Sequence, residues 1–257
     1  GLHCDLNKYD LAEDEHNEAL TMYRQLAEKN PDAFMSDVAL NLGNLANLHY
    51  KLHKLDLAEN EYNEALETYR QLAENNPDAF LPDVARNLGN LAVLHNDLHK
   101  YDLAEVEYNE AIKIYRKLAE QSPDAFSSDL ARNLGNLAIL HFHENKYDLA
   151  EEEYNESLDI YCKLAEMNPD KFLPDVARNQ GNLSVLLKVL HKYELAEVGY
   201  NACLDIYHKL SADNPKLFLS EVAPYLKDLS HLHWILGKYD FAEQEYAEVI
   251  SIYSKLA

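Results

Sequence analysis

The sequence is poor in residues that interrupt helices, with only seven Gly and eight Pro among 257 residues. Turn-rich β folds need more of both, so this scarcity favours helices joined by short connections. Apolar runs extend over a few residues, whereas a membrane-spanning helix needs about 20. The three cysteines (Cys4, Cys162 and Cys203) have no CxxC spacing, which argues against a disulfide framework and against a cysteine-rich metal site.

Basic residues are also in the minority. The 23 Lys and Arg face 45 Asp and Glu, which gives a net charge of −22. Such a charge repels nucleic acid and anionic membrane surfaces and favours basic partners. We therefore predict neither a nucleic-acid partner nor a membrane partner. An odd number of cysteines and no readable leader peptide agree with a reducing compartment, so a cytoplasmic location is expected.

Catalytic motifs are missing as well. The sequence contains no GxSxG, GxGxxG or GxxxxGK[ST] pattern. Cys162 stands where other repeats have a surface arginine and Cys203 where they have a core alanine, so neither resembles an activated thiol. We predict no enzymatic activity and no cofactor. Glycines recur instead inside predicted helices, where they permit close packing or approach of a ligand: Gly43, Gly89, Gly135 and Gly181.

The dominant pattern is an internal repeat of 46 residues. A Leu-Ala-Glu block recurs at this spacing, and four residues after its alanine stands an aromatic residue in five of six copies. Three residues after this aromatic position, the side chain is small in every copy except the last. These offsets place a small–large–small stripe on one helix face, which suits close helix packing. The blocks begin at Leu11, Leu57, Leu103, Leu149, Leu195 and, with phenylalanine, at Phe241.

Each repeat divides into two helices. An Asn-Pro or Ser-Pro pair supplies an N-cap and a proline at the first helical position. Because Pro82, Pro174 and Pro224 follow shortly afterwards, we expect an irregular or kinked opening turn, a first helix running cleanly from about Asp83 to Leu98, and a longer second helix. The predicted organisation is one array over residues 1–257, with a partial repeat 1–30 and repeats 31–76, 77–122, 123–168, 169–214 and 215–257, cut from a longer protein.

The residues Asn87-Leu88-Gly89-Asn90-Leu91-Ala92, followed by Tyr101-Asp102, Ala104, Tyr108 and Ala111, resemble the two-helix signature of the tetratricopeptide repeat (TPR) family. The unit exceeds the usual length of about 34 residues and is similar to the longer repeats of kinesin light chains. The resemblance implies an all-α, right-handed superhelical solenoid whose first helices line a concave groove. It also implies a scaffold that binds a peptide or a partner protein in that groove.

Three rows of residues follow the predicted groove. In the family the equivalent asparagines hold peptide backbone, which assigns that role to Asn44, Asn90, Asn136, Asn182 and then Asp228. Despite the acidic charge of the whole chain, three guanidinium groups on the groove wall suit acidic groups of a ligand: Arg86, Arg132 and Arg178. A row that varies between repeats predicts selectivity: Tyr50, Asn96, Phe142, Lys188 and Trp234. The alternatives are that the Asn and Arg side chains bond neighbouring repeats or helix ends, and that Trp234 is buried against a further repeat.

Twelve histidines raise the possibility of a metal site, because His49/His53 and His95/His99 are four residues apart. The histidines at 49, 95, 141 and 233 nevertheless occupy a packing position at which the fourth repeat has Leu187, so we predict no metal site. Asn87 and its equivalents Asn41, Asn133 and Asn179 are predicted to be structural amides. The acidic residues of the second helices are predicted to form a solvated outer surface.

The leading functional hypothesis is a scaffold for a protein or peptide that carries acidic groups. Two hypotheses from other classes are kept. One is a regulatory or sensory TPR module of a larger signalling enzyme, and the other is a structural self-association unit. The oligomeric state is left open.

Overall fold

The computed structural model describes residues 2–256, without the side chains of residues 2–8, 10, 213, 215 and 216. Within residues 2–256 it contains eleven helices and no strand, so the predicted all-α class of tandem two-helix repeats is confirmed. The helices are α1 Leu2–Lys29, α2 Pro31–Lys51, α3 Leu55–Asn75, α4 Pro77–Asp97, α5 Tyr101–Gln121, α6 Pro123–His143, α7 Tyr147–Met167, α8 Pro169–Val189, α9 Tyr193–Asp213, α10 Pro215–Ile235 and α11 Tyr239–Leu256.

The chain divides into two compact units, Gly1–Phe126 (unit 1) and Ser127–Ala257 (unit 2), with the boundary inside α6. In both units the even-numbered helices are the first helices of the repeats, and α3, α5, α7, α9 and α11 are the second helices. Among residues 2–256, no helix combines the length and the apolar character that crossing a membrane requires.

The first helices begin at the prolines of the Asn-Pro and Ser-Pro pairs, as the sequence predicts. Proline suits this position because its φ is already helical and its missing N–H is not needed there. Capping by the preceding side chain is rarer than expected. Asn168 accepts a hydrogen bond from the Lys171 N–H at 3.3 Å, whereas Asn30, Asn76 and Asn214 make no such bond.

The prediction of an irregular or kinked opening turn in the first helices is wrong. Helix α4 is continuous through Pro82, and α8 and α10 are continuous through Pro174 and Pro224. One proline removes a single backbone hydrogen bond near the helix start, while the following turns are anchored by buried residues such as Val84 and Leu88. The second helix is not longer either, because α4 and α5 both contain 21 residues.

Each first helix ends at one residue in the left-handed region, with φ between 56° and 72°. At His99 (φ 58°) the N–H donates to the Asn96 carbonyl, and the next N–H, of Lys100, donates to the His95 carbonyl at 2.8 Å. These bonds satisfy carbonyls at the helix end and lead the chain directly into α5. The equivalent residues are His53, Asn145, His191 and Gly237.

The small–large–small stripe forms the core. In unit 1 the side chains of Ala104 and Ala111 are completely buried and Tyr108 is 2% exposed. In unit 2 the serine that replaces the second small residue, Ser157, is also buried, and its hydroxyl donates to the Ala131 carbonyl at 2.7 Å. The alanines let the neighbouring helix approach while the tyrosine fills the space beside them.

Gly43, Gly135 and Gly181 lie where neighbouring first helices approach each other. A Cβ atom at Gly43 would be 3.3 Å from Asn87 Oδ1, and one at Gly181 would be 2.4 Å from the Tyr225 ring. We expect Gly181→Ala to lower the free energy of unfolding by about 1–3 kcal/mol, because the ring cannot retreat. Gly43→Ala is the matched control and should change little, because the gain of about 1 kcal/mol in helix propensity offsets the small shift that Asn87 Oδ1 must make. Urea unfolding measures the stability of both variants. If Gly181→Ala is as stable as Gly43→Ala, the prediction is wrong.

Candidate functional site

In unit 1 the predicted Asn and Arg rows meet between α2 and α4. A small polar cleft of about 20 Å³ lies there. Such a volume holds little more than one water molecule, so it is a contact point for a ligand group rather than an enclosed pocket. We call it the unit 1 niche, and its defining residues are Gly43, Asn44, Arg86 and Asn90.

Unit 2 repeats this arrangement between α6 and α8. The cleft there measures about 10 Å³. The same residue types come together as in unit 1, at positions 92 residues later in the sequence. We call it the unit 2 niche, and its defining residues are Gly135, Asn136, Arg178 and Asn182.

The asparagines of the two niches differ from the structural asparagines beside them. Asn44 is exposed and Asn90 and Asn136 are half-buried, and within the described residues their side chains make no hydrogen bond. Asn87 and Asn179, by contrast, are buried, and each donates from Nδ2 to the carbonyl of the aspartate four residues earlier. The structure therefore agrees with a structural role for Asn87 and Asn179 and leaves the amides of Asn44, Asn90 and Asn136 available.

The arginines bond to their own helices. Arg86 donates to Asp83, Arg178 donates to Asp175, and Arg132 donates to Asp129 at 2.6 Å. Bonding within the protein, rather than to a ligand, was the alternative that the sequence left open for these arginines, and these hydrogen bonds are part of it. An exposed pair of this kind contributes only about 0–1 kcal/mol. The side chains stay 46–48% exposed, so these aspartates orient guanidinium groups that still face solvent.

Several residues of the varying row contact neighbouring helices. Lys188, on α8, pairs with Asp228 on α10, and the Lys188 side chain is only 14% exposed. Tyr50 donates to Asp97, and burial together with that carboxylate raises the pKa of Tyr50 to about 12. These contacts join first helices to each other. The predicted binding role of Tyr50, Lys188 and Asp228 therefore stays a prediction.

The other members of this row are placed differently. Asn96 is half-buried, and its Oδ1 atom is buried without a hydrogen-bond partner among the described residues. The Phe142 ring packs against Tyr147, with ring centroids 5.9 Å apart. The Trp234 side chain is 64% exposed, with its ring edge-on to Tyr239 at 5.0 Å. It lines an open apolar cavity of about 650 Å³ formed by α10 and α11.

A buried histidine network was not predicted. His95 lies between two carboxylates, with Nδ1 2.8 Å from Glu107 and Nε2 3.3 Å from Glu59. Lys100 donates to the same Glu59 carboxylate at 2.6 Å. The side chains of His95, Glu107 and Glu59 are 4%, 13% and 26% exposed. The prediction that the second-helix acidic residues form only a solvated surface is therefore wrong for these glutamates.

The network recurs in other repeats. His49 lies between Glu61 at 2.7 Å and Glu13 at 3.3 Å, and His233 lies between Glu245 at 2.9 Å and Glu197 at 3.2 Å. The fourth repeat lacks both partners, because Leu187 replaces the histidine and Gly199 replaces the glutamate that would face its Nδ1 atom. This joint replacement was the one signal in the sequence that links the two positions.

In the histidine pairs considered for metal binding, the two residues do not lie on the same helix. His53 and His99 lie beyond the ends of α2 and α4 in left-handed turn positions, and the Nδ1 atom of His99 is 2.8 Å from the Tyr101 hydroxyl. The helical spacing assumed for these pairs is therefore wrong.

Neither Cys162 nor Cys203 is an activated thiol. Burial raises the pKa of Cys203 to about 12. Partial burial and the neighbouring Asp159 and Glu166 also raise the pKa of Cys162. Both thiols therefore stay protonated near neutral pH. The side chain of Cys4 lies outside the described residues.

Solved structures of low sequence identity share this fold. BtubC (BKLC) from P. vanneervenii is similar with a TM-score of 0.77 and 21% identity, over 96% of this chain and 92% of that chain. A putative kinesin light chain with nearly identical TPR-like repeats from Podosopora anserina gives 0.64 and 14%, over 86% and 97%. PilF from Pseudomonas aeruginosa gives 0.56 and 19%, over 96% and 94%. The sequence has no match among curated proteins.

A family model described as a tetratricopeptide repeat matches residues 36–117 and 83–163. These segments contain the recurring stripe, the turn after each first helix and both members of several helix pairs. This chain belongs to the tetratricopeptide repeat family.

Proposed function

We propose that the chain is a protein-interaction scaffold that binds an extended peptide segment on the first-helix face of each unit. The observation that carries the proposal is the recurrence of one niche in both units. Each niche combines a half-exposed guanidinium group with side-chain amides, and Asn44, Asn90 and Asn136 have no internal hydrogen-bond partner. Residues needed only for packing would be expected to have internal hydrogen-bond partners, as Asn87 and Asn179 have in the Asp83 and Asp175 carbonyls.

The two residue types recognise different parts of a peptide. A carboxamide offers both donors and an acceptor, so it can bond a peptide backbone whatever its sequence. A guanidinium group binds carboxylates with two parallel hydrogen bonds. Since one N–H of each arginine serves its own aspartate, other donors of the fork are left for a ligand. The partner that this chemistry favours is a peptide with Asp or Glu side chains or a free carboxyl terminus.

The row that varies between repeats would add selectivity. Asn96 and Phe142 are both half-buried, and the buried Oδ1 atom of Asn96 is an acceptor without an internal donor.

Selection from a displayed library of random dodecapeptides tests the proposal. We expect acidic peptides to be enriched, and we expect the triple variant Arg86→Ala/Arg132→Ala/Arg178→Ala to bind the selected peptide at least about tenfold more weakly. Fluorescence anisotropy measures the Kd. The affinity of the unmodified protein should also fall as salt rises, since the paired charges are near the surface.

The second helices supply a matched control. Arg24 and Arg70 are about half exposed and pair with glutamates of neighbouring second helices. The triple variant Arg24→Ala/Arg70→Ala/Arg116→Ala removes the same net charge away from the niches and should leave the Kd nearly unchanged. An equal loss of affinity in both triple variants, or no loss in either, contradicts the proposed site.

A further inference from the structure

The face between α8 and α10 departs from the two niches. Gly181 and Asn182 keep the pattern, but Pro224 stands where an arginine is expected and Asp228 where an asparagine is expected. A further replacement adds a large side chain to this face. Tyr225 occupies the position that belongs to the structural asparagine in four earlier repeats, namely Asn41, Asn87, Asn133 and Asn179.

Tyr225 fills the space and the hydrogen-bonding capacity of this face. Its hydroxyl donates to Asn182 Oδ1 at 2.9 Å and lies 3.4 Å from the Arg178 carbonyl oxygen. Its ring occupies the space beside Gly181, where a Cβ atom would be 2.4 Å away. Asn182 is therefore the one member of the asparagine row whose amide oxygen, within the described residues, accepts a hydrogen bond from a side chain.

The surroundings hold Tyr225 in this position. Its ring stacks on Tyr207, with centroids 6.0 Å apart and an interplanar angle of 12°. Burial raises the pKa of Tyr225 well above its usual range, so the hydroxyl keeps its proton and remains a donor. The ion pair between Lys188 and Asp228 joins α8 to α10 on the same face.

We propose that Tyr225 is a built-in stop that limits how far a peptide can extend along the first-helix face of unit 2. This inference rests on the proposed function. A phenol donates to the Asn182 oxygen just as a peptide N–H would, so a ligand must displace Tyr225 to use that oxygen. The peptide is then held by Asn136, Arg178 and the Asn182 amide nitrogen, and the bound segment ends at α8.

The variant Tyr225→Phe removes only the hydroxyl and keeps the stacked ring. We expect it to bind the selected acidic dodecapeptide about fivefold more tightly, because a competing hydrogen bond of ordinary strength is gone. Tyr161→Phe is the matched control, since the Tyr161 hydroxyl donates to the Ser128 carbonyl and to no member of the asparagine row. Its Kd should equal that of the unmodified protein. Melting temperatures close to that of the unmodified protein verify that both variants are folded.

A second variant tests the position of the stop. Tyr225→Asn restores the residue of the earlier repeats, and photo-crosslinks from the peptide should then extend onto α10. If the peptide binds in an arginine-dependent way but neither variant changes the Kd or the crosslinked residues, the stop is refuted and the proposed function stands. If no arginine-dependent peptide binding exists, the proposed function itself fails.

Discussion

Replacing His95 with leucine is expected to lower the free energy of unfolding by about 2–3 kcal/mol. The substitution removes the hydrogen-bond partner of Glu107, whose side chain is 13% exposed, and the second contact of Glu59. A largely buried carboxylate without its partner pays its desolvation cost uncompensated. The side chains are of similar size, so the loss reflects the network more than a cavity. Urea unfolding followed by circular dichroism measures the change.

The fourth repeat provides the matched control, because it carries leucine and glycine at these two positions. The double variant His95→Leu/Glu107→Gly should recover at least half of the stability lost in His95→Leu, although glycine in a helix costs about 1 kcal/mol. Glu59 keeps Lys100 as a partner in this variant. The single variant Glu107→Gly completes the comparison. If the loss in the double variant equals the sum of the losses in His95→Leu and Glu107→Gly, His95 and Glu107 are not coupled and the network has no special role.

Stability is expected to fall as the pH rises through the neutral range. Burial alone would lower the pKa of His95, but the hydrogen bonds and charges of Glu107 and Glu59 outweigh it and raise that pKa above its ordinary value. A raised pKa in the folded state means that the stabilisation is fully present below the unfolded pKa of about 6.5 and is lost as the pH rises through the folded pKa. Melting temperatures measured across this range test the direction.

At acidic pH the contribution of Glu59 makes stability change with pH in the opposite direction. The hydrogen bond from Lys100 holds the pKa of Glu59 below its usual range, with His95 adding to the effect. A lowered carboxyl pKa stabilises the fold above the unfolded value and loses this contribution as the pH falls through the folded value. The protein should thus be most stable between the carboxyl and imidazole ranges.

NMR titration of the histidine ring signals measures the pKa of His95 separately from those of the other histidines. The His95 signal is identified because it is missing from the spectrum of the double variant. We expect a pKa above 6.5, the usual histidine value. The decline in stability on the alkaline side should be smaller in His95→Leu/Glu107→Gly. A His95 that titrates below its usual range, or a melting temperature that rises through neutral pH, contradicts the assignment.

The repeat and its packing stripe were predictable because stacked units bury the same positions each time. Ala104, Tyr108 and Ala111 recur at fixed offsets, and periodic burial leaves a periodic sequence. The positions of the first-helix starts were equally visible, since proline has a strong preference for the first turn. The continuous helix through Pro82 was not visible, because the cost of one proline is outweighed by tertiary contacts that a local pattern does not contain.

The histidine network and the role of Tyr225 depend on contacts between different helices. His95 meets Glu107 and Glu59, which lie 12 residues after it and 36 residues before it. Tyr225 meets Asn182, 43 residues before it. Acidic residues on a second helix have the same sequence pattern whether they face solvent or a buried imidazole. The sequence marks these places only through departures from the repeat, at Leu187, Gly199 and Tyr225.

The most direct test of the binding proposal is the position of a bound peptide. A photo-reactive version of the selected acidic dodecapeptide, crosslinked to the protein and mapped by mass spectrometry, should label the first helices around Asn90 or Asn136, and the niche arginine variant should abolish the labelling. The exposed apolar residues of the second helices, such as Leu103 and Val106, should remain unlabelled. Labelling concentrated on the second helices and unaffected by the arginine substitutions would contradict the account.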